Sequence, residues 1–280
     1  MAEGITTVKQ ALQAAAAAGL DRLDARLLLL HVLGRPLADR AWLVAHDTDA
    51  LQDPVMQRFT GLCGRRAGGE PLAYLTGSKE FYGLDLQVDA RVLVPRPDTE
   101  TLVDWALSAI TSIPRARVLD LGTGSGAIAL AIKHARPDAE VSAVDASAGA
   151  LEVARANASR LGLEVDFLHG SWLSCVSNHY HIIVSNPPYI ASGDHHLAAL
   201  GHEPIEALAA GPDGLADIRQ IASGAAAHLL PGGWLMLEHG YDQAEQVREL
   251  LGTAGLEGAV SRRDLAGIER CSGAKKPGRG

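Results

Sequence analysis

The chain is short of cysteine, of basic charge and of long apolar runs, and each shortage removes a class of function. Its cysteines, Cys63, Cys175 and Cys271, stand far apart with no Cys-x-x-Cys spacing. That gives neither a disulfide framework nor a zinc pattern, and it fits a reducing compartment. Lys and Arg number 25 against 33 Asp and Glu, a net charge of −8. Non-specific binding to nucleic acid needs a basic surface, so direct nucleic-acid binding is not expected. No stretch stays apolar long enough to cross a bilayer. The alanine run 14–18 is too short for a secretory leader and follows Glu3 and Lys9. A cytoplasmic protein without a membrane partner is expected. The eleven histidines include His195-His196 and His179 with His181, but no cysteine or carboxylate spacing matches them. No metal is expected.

What remains is a 280-residue chain with 47% hydrophobic and 21% charged residues, enough for one large domain or a medium and a small one. Residues 1–75 read as a small helical bundle. Val8 to Ala18 is rich in helix formers and stops at Gly19. Ala25, Leu28, Leu29 and Val32 fall at i, i+3, i+4, i+7 before Gly34 and Pro36. A third helix opens with Asp53 as N-cap and Pro54 at its first position, with Val55, Phe59 and Leu62 on its apolar face. Residues 76–98 read as a β-hairpin connector with Gly77 and Gly83 at turn or bulge positions. The loop Pro95-Arg96-Pro97-Asp98-Thr99-Glu100 then enters a helix, with Asp98 or Thr99 available as its cap.

From about 99 to 273, apolar strands alternate with helices. Strands are expected at 117–121, 141–145, 165–168, 181–184 and 234–238. Helices are expected at 127–135, 148–161, 215–230 and 242–251. That order predicts an α/β fold with a doubly wound, mainly parallel sheet. Gly122, Gly124 and Gly126, with Thr123 and Ser125 between them, form a loop through which the backbone passes close to a ligand. Asp145 ends the next strand, placed to hold the two hydroxyls of a ribose. The spacing alone also suits a nicotinamide dinucleotide.

A second stretch narrows the chemistry. The run His181–Val184 leads into Ser185-Asn186-Pro187-Pro188-Tyr189. Two prolines cannot continue a sheet, so the chain leaves it at the carboxyl end of the strand, where such sheets bind ligands. There the Asn186 side-chain oxygen and the Pro187 carbonyl can accept both hydrogens of one planar –NH2 group. Tyr189 offers a ring face for that group. An amide nitrogen or the exocyclic amine of a base fits. Together with Asp120 before the glycine loop, the pattern looks like the S-adenosylmethionine-dependent (class I) methyltransferase fold.

More closely, the chain resembles the release factor glutamine N5-methyltransferases. The likeness is carried by Gly69-Glu70-Pro71-Leu72, Leu75-Thr76-Gly77, Val94 to Glu100, Asp120 to Ala129, Ser185 to Ile190 and Leu237-Glu238-His239-Gly240. It implies that the Gly122–Gly126 loop contacts the methionine part of the donor, S-adenosyl-L-methionine. It implies further that Asp145 binds the ribose and that Trp172 packs near the adenine. Asn186 would touch both donor and substrate. Asn186 and Pro187 are then the catalytic pair, and Asn186, Pro187, Pro188 and Tyr189 hold a glutamine. That glutamine belongs to the Gly-Gly-Gln tripeptide of class 1 peptide chain release factors, and the amino-terminal helices contact the factor. Three departures accompany the likeness: Ser171 stands where an acid is usual, the 190–203 segment is about two residues shorter, and Cys271-Ser272-Gly273 replaces a β-branched last strand. A shortened edge strand and a disordered tail, 274–280, are therefore expected.

Competing readings are the same chemistry on a ribosomal-protein glutamine, adenine-N6 methylation of nucleic acid, a dinucleotide oxidoreductase and a non-catalytic binding module. His239, after Glu238 at a strand end, reads as a structural hydrogen-bonding residue before a catalytic one.

Overall fold

The computed structural model describes residues 6–278, which form two compact units meeting between Gly77 and Ser78. The first unit is helical. Helix α1 (Val8–Ala17) opens with a reciprocal cap in which Thr7 and Gln10 satisfy each other's backbone amides. Asp21 caps α2 (Arg22–Val32), the most buried helix of the unit, with Leu28, Leu29 and Leu30 fully enclosed. A short α3 (Arg40–Ala45) follows, then α4 (Asp53–Ala67) and α5 (Leu72–Thr76). Asp53 is not the cap of α4. Gln52 holds the extended backbone ahead of the helix, so Asp53 and Pro54 both lie within its first turn. Gly77, expected at a turn or bulge, ends α5 in the left-handed conformation.

The second unit begins with a hairpin, β1 (Ser78–Phe81) and β2 (Leu84–Gln87). Tyr82 and Gly83 both have positive φ, 51° and 76°, as a two-residue hairpin turn requires. Phe81–Leu84 is thus the turn and its flanks. Buried Asn157 joins the hairpin to the glycine loop: it exchanges hydrogen bonds with both backbone groups of Gln87 and donates to the Ser125 carbonyl.

A 3-10 turn, Pro97–Thr99, leads into α6 (Glu100–Ala109). Then come β3 (Arg117–Leu121), α7 (Ala127–Ala135), β4 (Glu140–Asp145), α8 (Ala148–Leu161), β5 (Asp166–His169) and β6 (Tyr180–Ser185). Helix α9 (Ala216–His228), β7 (Leu229–Glu238), α10 (Ala244–Thr253), β8 (Glu257–Arg263) and β9 (Glu269–Lys275) complete the unit. The sheet order is β5-β4-β3-β6-β7-β9-β8, with β3 to β7 parallel and β9 antiparallel to both neighbours. The order reverses between β3 and β6, so their carboxyl ends border the crevice. Strand residues alternate between two cores: Val118, Ile182, Val184 and Met236 face one, and Leu119, Ile183, Leu235 and Leu237 the other. Burial on both faces explains the unbroken apolar runs.

The carboxyl end differs from expectation. β9 is an inner strand of seven residues, and the edge is β8, which the sequence did not announce. Ala274 and Lys275 belong to β9 rather than to a disordered tail; residues 279 and 280 lie outside the described residues. The reason is packing. A Cβ on Gly273 would come within 2.8 Å of the Trp105 ring and 2.7 Å of the Leu235 carbonyl oxygen. Small residues let the strand pass under that indole. The β7 strand also starts five residues earlier than expected, with Pro231-Gly232-Gly233 in its irregular first part.

Candidate active site

A cleft of about 610 Å3 opens at the carboxyl ends of the strands. Gly122, Gly124, Asp145, Trp172, Asn186 and Pro188 line it, together with Arg91 and Ser171. The structure therefore brings together residues from five separate stretches of sequence.

Each is held for a physical reason. Gly122, Gly124 and Gly126 all have positive φ. At Gly122 a Cβ would also stand 3.1 Å from the Trp172 ring, tighter than ordinary contact. Thr123 and Ser125 are buried in the loop; the Thr123 hydroxyl donates to Asp120 Oδ2 at 2.6 Å. Burial pushes the Asp120 carboxyl up to about 7, against the pull of Thr123 and the Ala129 amide. Among the described residues, its Oδ1 is buried without a partner. Asp145 accepts from the Gly124 amide at Oδ2 and from the Ser147 amide at Oδ1, both at 2.8 Å. Those bonds aim the carboxylate while leaving lone pairs for a diol. The Trp172 ring lies against the glycine loop at Gly122, and Asp217 lines the same cleft.

These features fit an adenosyl ligand. A carboxylate braced by amides suits ribose hydroxyls, a flat indole suits a base, and a side-chain-free loop lets backbone approach a charged amino-acid part. Ser171 lines the cleft as its neutral counterpart to an acid.

The stretch after β6 starts from Ser185, whose hydroxyl donates to the Leu121 carbonyl at 2.7 Å and ties the ends of β6 and β3. Asn186 then donates through Nδ2 to Thr99 Oγ1 at 3.2 Å. The Tyr189 hydroxyl reaches Glu238 Oε1 at 3.4 Å, and the Tyr189 carbonyl accepts from Gln243 Nε2 at 3.0 Å. Gly214 packs so closely on that carbonyl that a Cβ would stand 2.2 Å from its oxygen. Burial beside Glu238 raises the Tyr189 hydroxyl far above its ordinary range, so it stays protonated. Glu238, at 1% exposure, is itself pushed up to about 7 by burial, opposed by the Thr99 hydroxyl and Arg270.

Thr99, Gln243, Gly214, Glu238 and Arg270 were not among the expected site residues. Thr99 sits in the loop whose Pro-Arg-Pro-Asp-Thr-Glu pattern was visible, and Glu238 is an acid at the carboxyl end of an apolar strand. Both signals were present in the sequence. Thr99 makes no side-chain bond to the start of α6, because its hydroxyl is engaged in the site instead. His239 is buried, donating from Nδ1 to the Gly240 carbonyl and accepting at Nε2 from Ser272, each at 2.8 Å. The His195-His196 pair does have a carboxylate beside it: Asp194 Oδ1 lies 2.7 Å from His196 Nδ1, on an exposed loop.

The sheet order, the glycine loop and the cleft define a class I S-adenosylmethionine-dependent methyltransferase. Residues 99–210 match the methyltransferase small domain, and residues 5–77 the PrmC N-terminal domain. A methyltransferase from Pyrococcus furiosus shares the fold, with a TM-score of 0.52 at 19% identity, covering 70% of this chain and 90% of that one. The release factor glutamine methyltransferase of Bordetella pertussis is 53% identical over 91% of this chain and 95% of its own. That of Burkholderia pseudomallei is 50% identical over 94% of each. The chain belongs to the release factor glutamine methyltransferase family.

Proposed function

We propose that the protein methylates the side-chain amide nitrogen of the glutamine in the Gly-Gly-Gln motif of class 1 peptide chain release factors. The observation that carries the reading is the Asn186 amide, whose Nδ2 is occupied by Thr99, so that its oxygen is the group left to face a substrate. When bound, S-adenosyl-L-methionine supplies an electrophilic methyl on a sulfonium. In this reading Gly122 to Gly126, Asp145 and Trp172 hold it, and Asn186 borders both ligands.

An amide nitrogen is a weak nucleophile because its lone pair is delocalised into the carbonyl. Asn186 Oδ1 and the Pro187 carbonyl accept its two N–H bonds, turn it toward tetrahedral geometry and favour the positive charge that grows on it. Pro188 and Tyr189 wall the glutamine side chain. The nitrogen's proton leaves to water after transfer, without a histidine or carboxylate as base. Residues 1–75 recognise the release factor.

The test incubates the protein with labelled S-adenosylmethionine and a recombinant class 1 release factor, beside a factor whose Gly-Gly-Gln glutamine is alanine. Mass spectrometry should find one added methyl on that glutamine in the first and none in the second. Equal labelling of both sinks the assignment.

A further inference from the structure

Two stretches far apart in sequence line the cleft although neither lies on a strand: Arg91 to Leu93 after the hairpin, and Pro204, Glu206 and Ala207 in the segment beyond Tyr189. The second segment is an arch. The Ile190 amide donates to the Leu208 carbonyl and the Ala210 amide to the Ile190 carbonyl, each at 2.9 Å, and the Ser192 amide donates to the Gly211 carbonyl at 2.8 Å. These bonds close its base. The span carries two 3-10 turns, His195–Leu200 and Ile205–Ala207, a geometry with poorer hydrogen bonds than an α-helix. A contact from outside the arch therefore matters for its placement, and Glu203 makes one. Its side chain is 2% exposed. Oε2 accepts from the Val94 amide at 3.0 Å, and Oε1 accepts from the Arg96 guanidinium. Val94 follows Leu93 and Glu203 precedes Pro204, so one carboxylate joins the two lining stretches at their ends.

A carboxylate is costly to bury unless it is paired with a cation and hydrogen-bonded, and both oxygens of Glu203 are engaged in that way. The pairing fixes a position, because the side chain is well placed only where the Val94 amide and Arg96 converge. We infer that Glu203 is a positioning residue for the methyl donor: its clasp on Val94 and Arg96 holds the arch so that Pro204 to Ala207 complete the cleft, given the reading of that cleft as the seat of S-adenosyl-L-methionine. With the clasp open, the arch leaves this arrangement for part of the time. The donor then binds only the closed fraction, and its apparent affinity falls by that fraction. The clasp also joins two sequence features in one role. Arg96 is the cation of the Pro-Arg-Pro-Asp-Thr-Glu loop, and the shortened 190–203 segment ends at the residue that fastens it.

The experiment titrates the full chain with S-adenosyl-L-methionine by calorimetry and follows amide hydrogen exchange in the donor-free protein. Glu203→Gln keeps the shape but puts an –NH2 group where a second acceptor is needed. Arg96→Met removes the cation, and Arg96→Lys keeps one. Glu203→Gln and Arg96→Met should each raise the donor Kd about tenfold, as for an arch closed about one-tenth of the time. Arg96→Lys should keep most of the affinity. Exchange at 205–208 should quicken in the two weakened variants while β3 and β6 exchange as in wild type, a pattern that a general loss of stability would not give. Donor affinity near wild type in both weakened variants overturns the clasp, whatever the exchange shows. An affinity loss without faster exchange at 205–208 overturns it too. A wild type that binds no S-adenosyl-L-methionine overturns the reading of the cleft and the clasp with it. Should Glu203→Gln fail to fold, by circular dichroism and melting, the Arg96→Met and Arg96→Lys pair decides, at a side chain that is 39% exposed.

Discussion

Asn186 illustrates both what a sequence states and what it withholds. Its place after β6 and before two prolines marked it, because chain geometry forces such a residue out of the sheet at its ligand-binding end. Its orientation was not legible. That depends on Thr99, 87 residues earlier, and no local pattern encodes the contact. On the proposed reading, Asn186→Ala removes an acceptor aimed at the substrate nitrogen. It should lower kcat by about 10²-fold or more, with donor affinity changed far less; near-normal turnover in a single-turnover assay would refute the role. Tyr189→Phe should be milder, at most about tenfold, because its 3.4 Å bond is long and the ring remains. That bond favours the ionised form of Glu238. Losing it should raise the Glu238 carboxyl slightly further, so the pH dependence of stability should move upward in the variant, as urea titrations across pH would read.

Among elements, those buried on both faces were the easiest to read. β3, β4 and β6 are apolar runs bounded by turns, and both cores need them so. β9 was misjudged because Cys271-Ser272-Gly273-Ala274 lacks branched side chains, although strand preference reports fit to a surface more than backbone taste. Here the surface is Trp105, which cannot retreat. It packs edge-on against Trp234, with ring centroids 5.5 Å apart, and Arg262 lies over it at 5.1 Å. Gly273→Ala should therefore push strand or indole aside and cost about 1–3 kcal/mol, the usual penalty of overpacking. A urea midpoint equal to wild type would show that the strand can yield. The same crowding holds in the glycine loop. Gly122→Ala would meet both a φ of 70° and the Trp172 ring at 3.1 Å, so donor affinity should fall when measured by calorimetry.

Across the whole molecule, the site carries a stability cost that can be measured. Asp120 rises from 3.8 and Glu238 from 4.5, each to about 7, so the folded chain holds protons that the unfolded chain has released. A carboxyl raised in this way stabilises fully below its unfolded value, and the contribution is lost as pH climbs through the folded one. His31, His181 and His239 act oppositely. Burial lowers each, so the loss of their protons favours the folded state as pH rises toward 6.5. Over the shared range the two trends offset, and a wild-type curve alone would hide both. The difference between wild type and Glu238→Gln cancels the histidines. Glu238→Gln should gain about 2–3 kcal/mol of unfolding free energy relative to wild type between pH 5 and pH 8, from the roughly two-unit shift of one carboxyl. Urea titrations of both proteins at the two pH values would check it. A difference that stays flat would mean that Glu238 ionises like a surface carboxylate, whereas a rising difference paired with lost turnover would mark a buried charge kept for function rather than for stability.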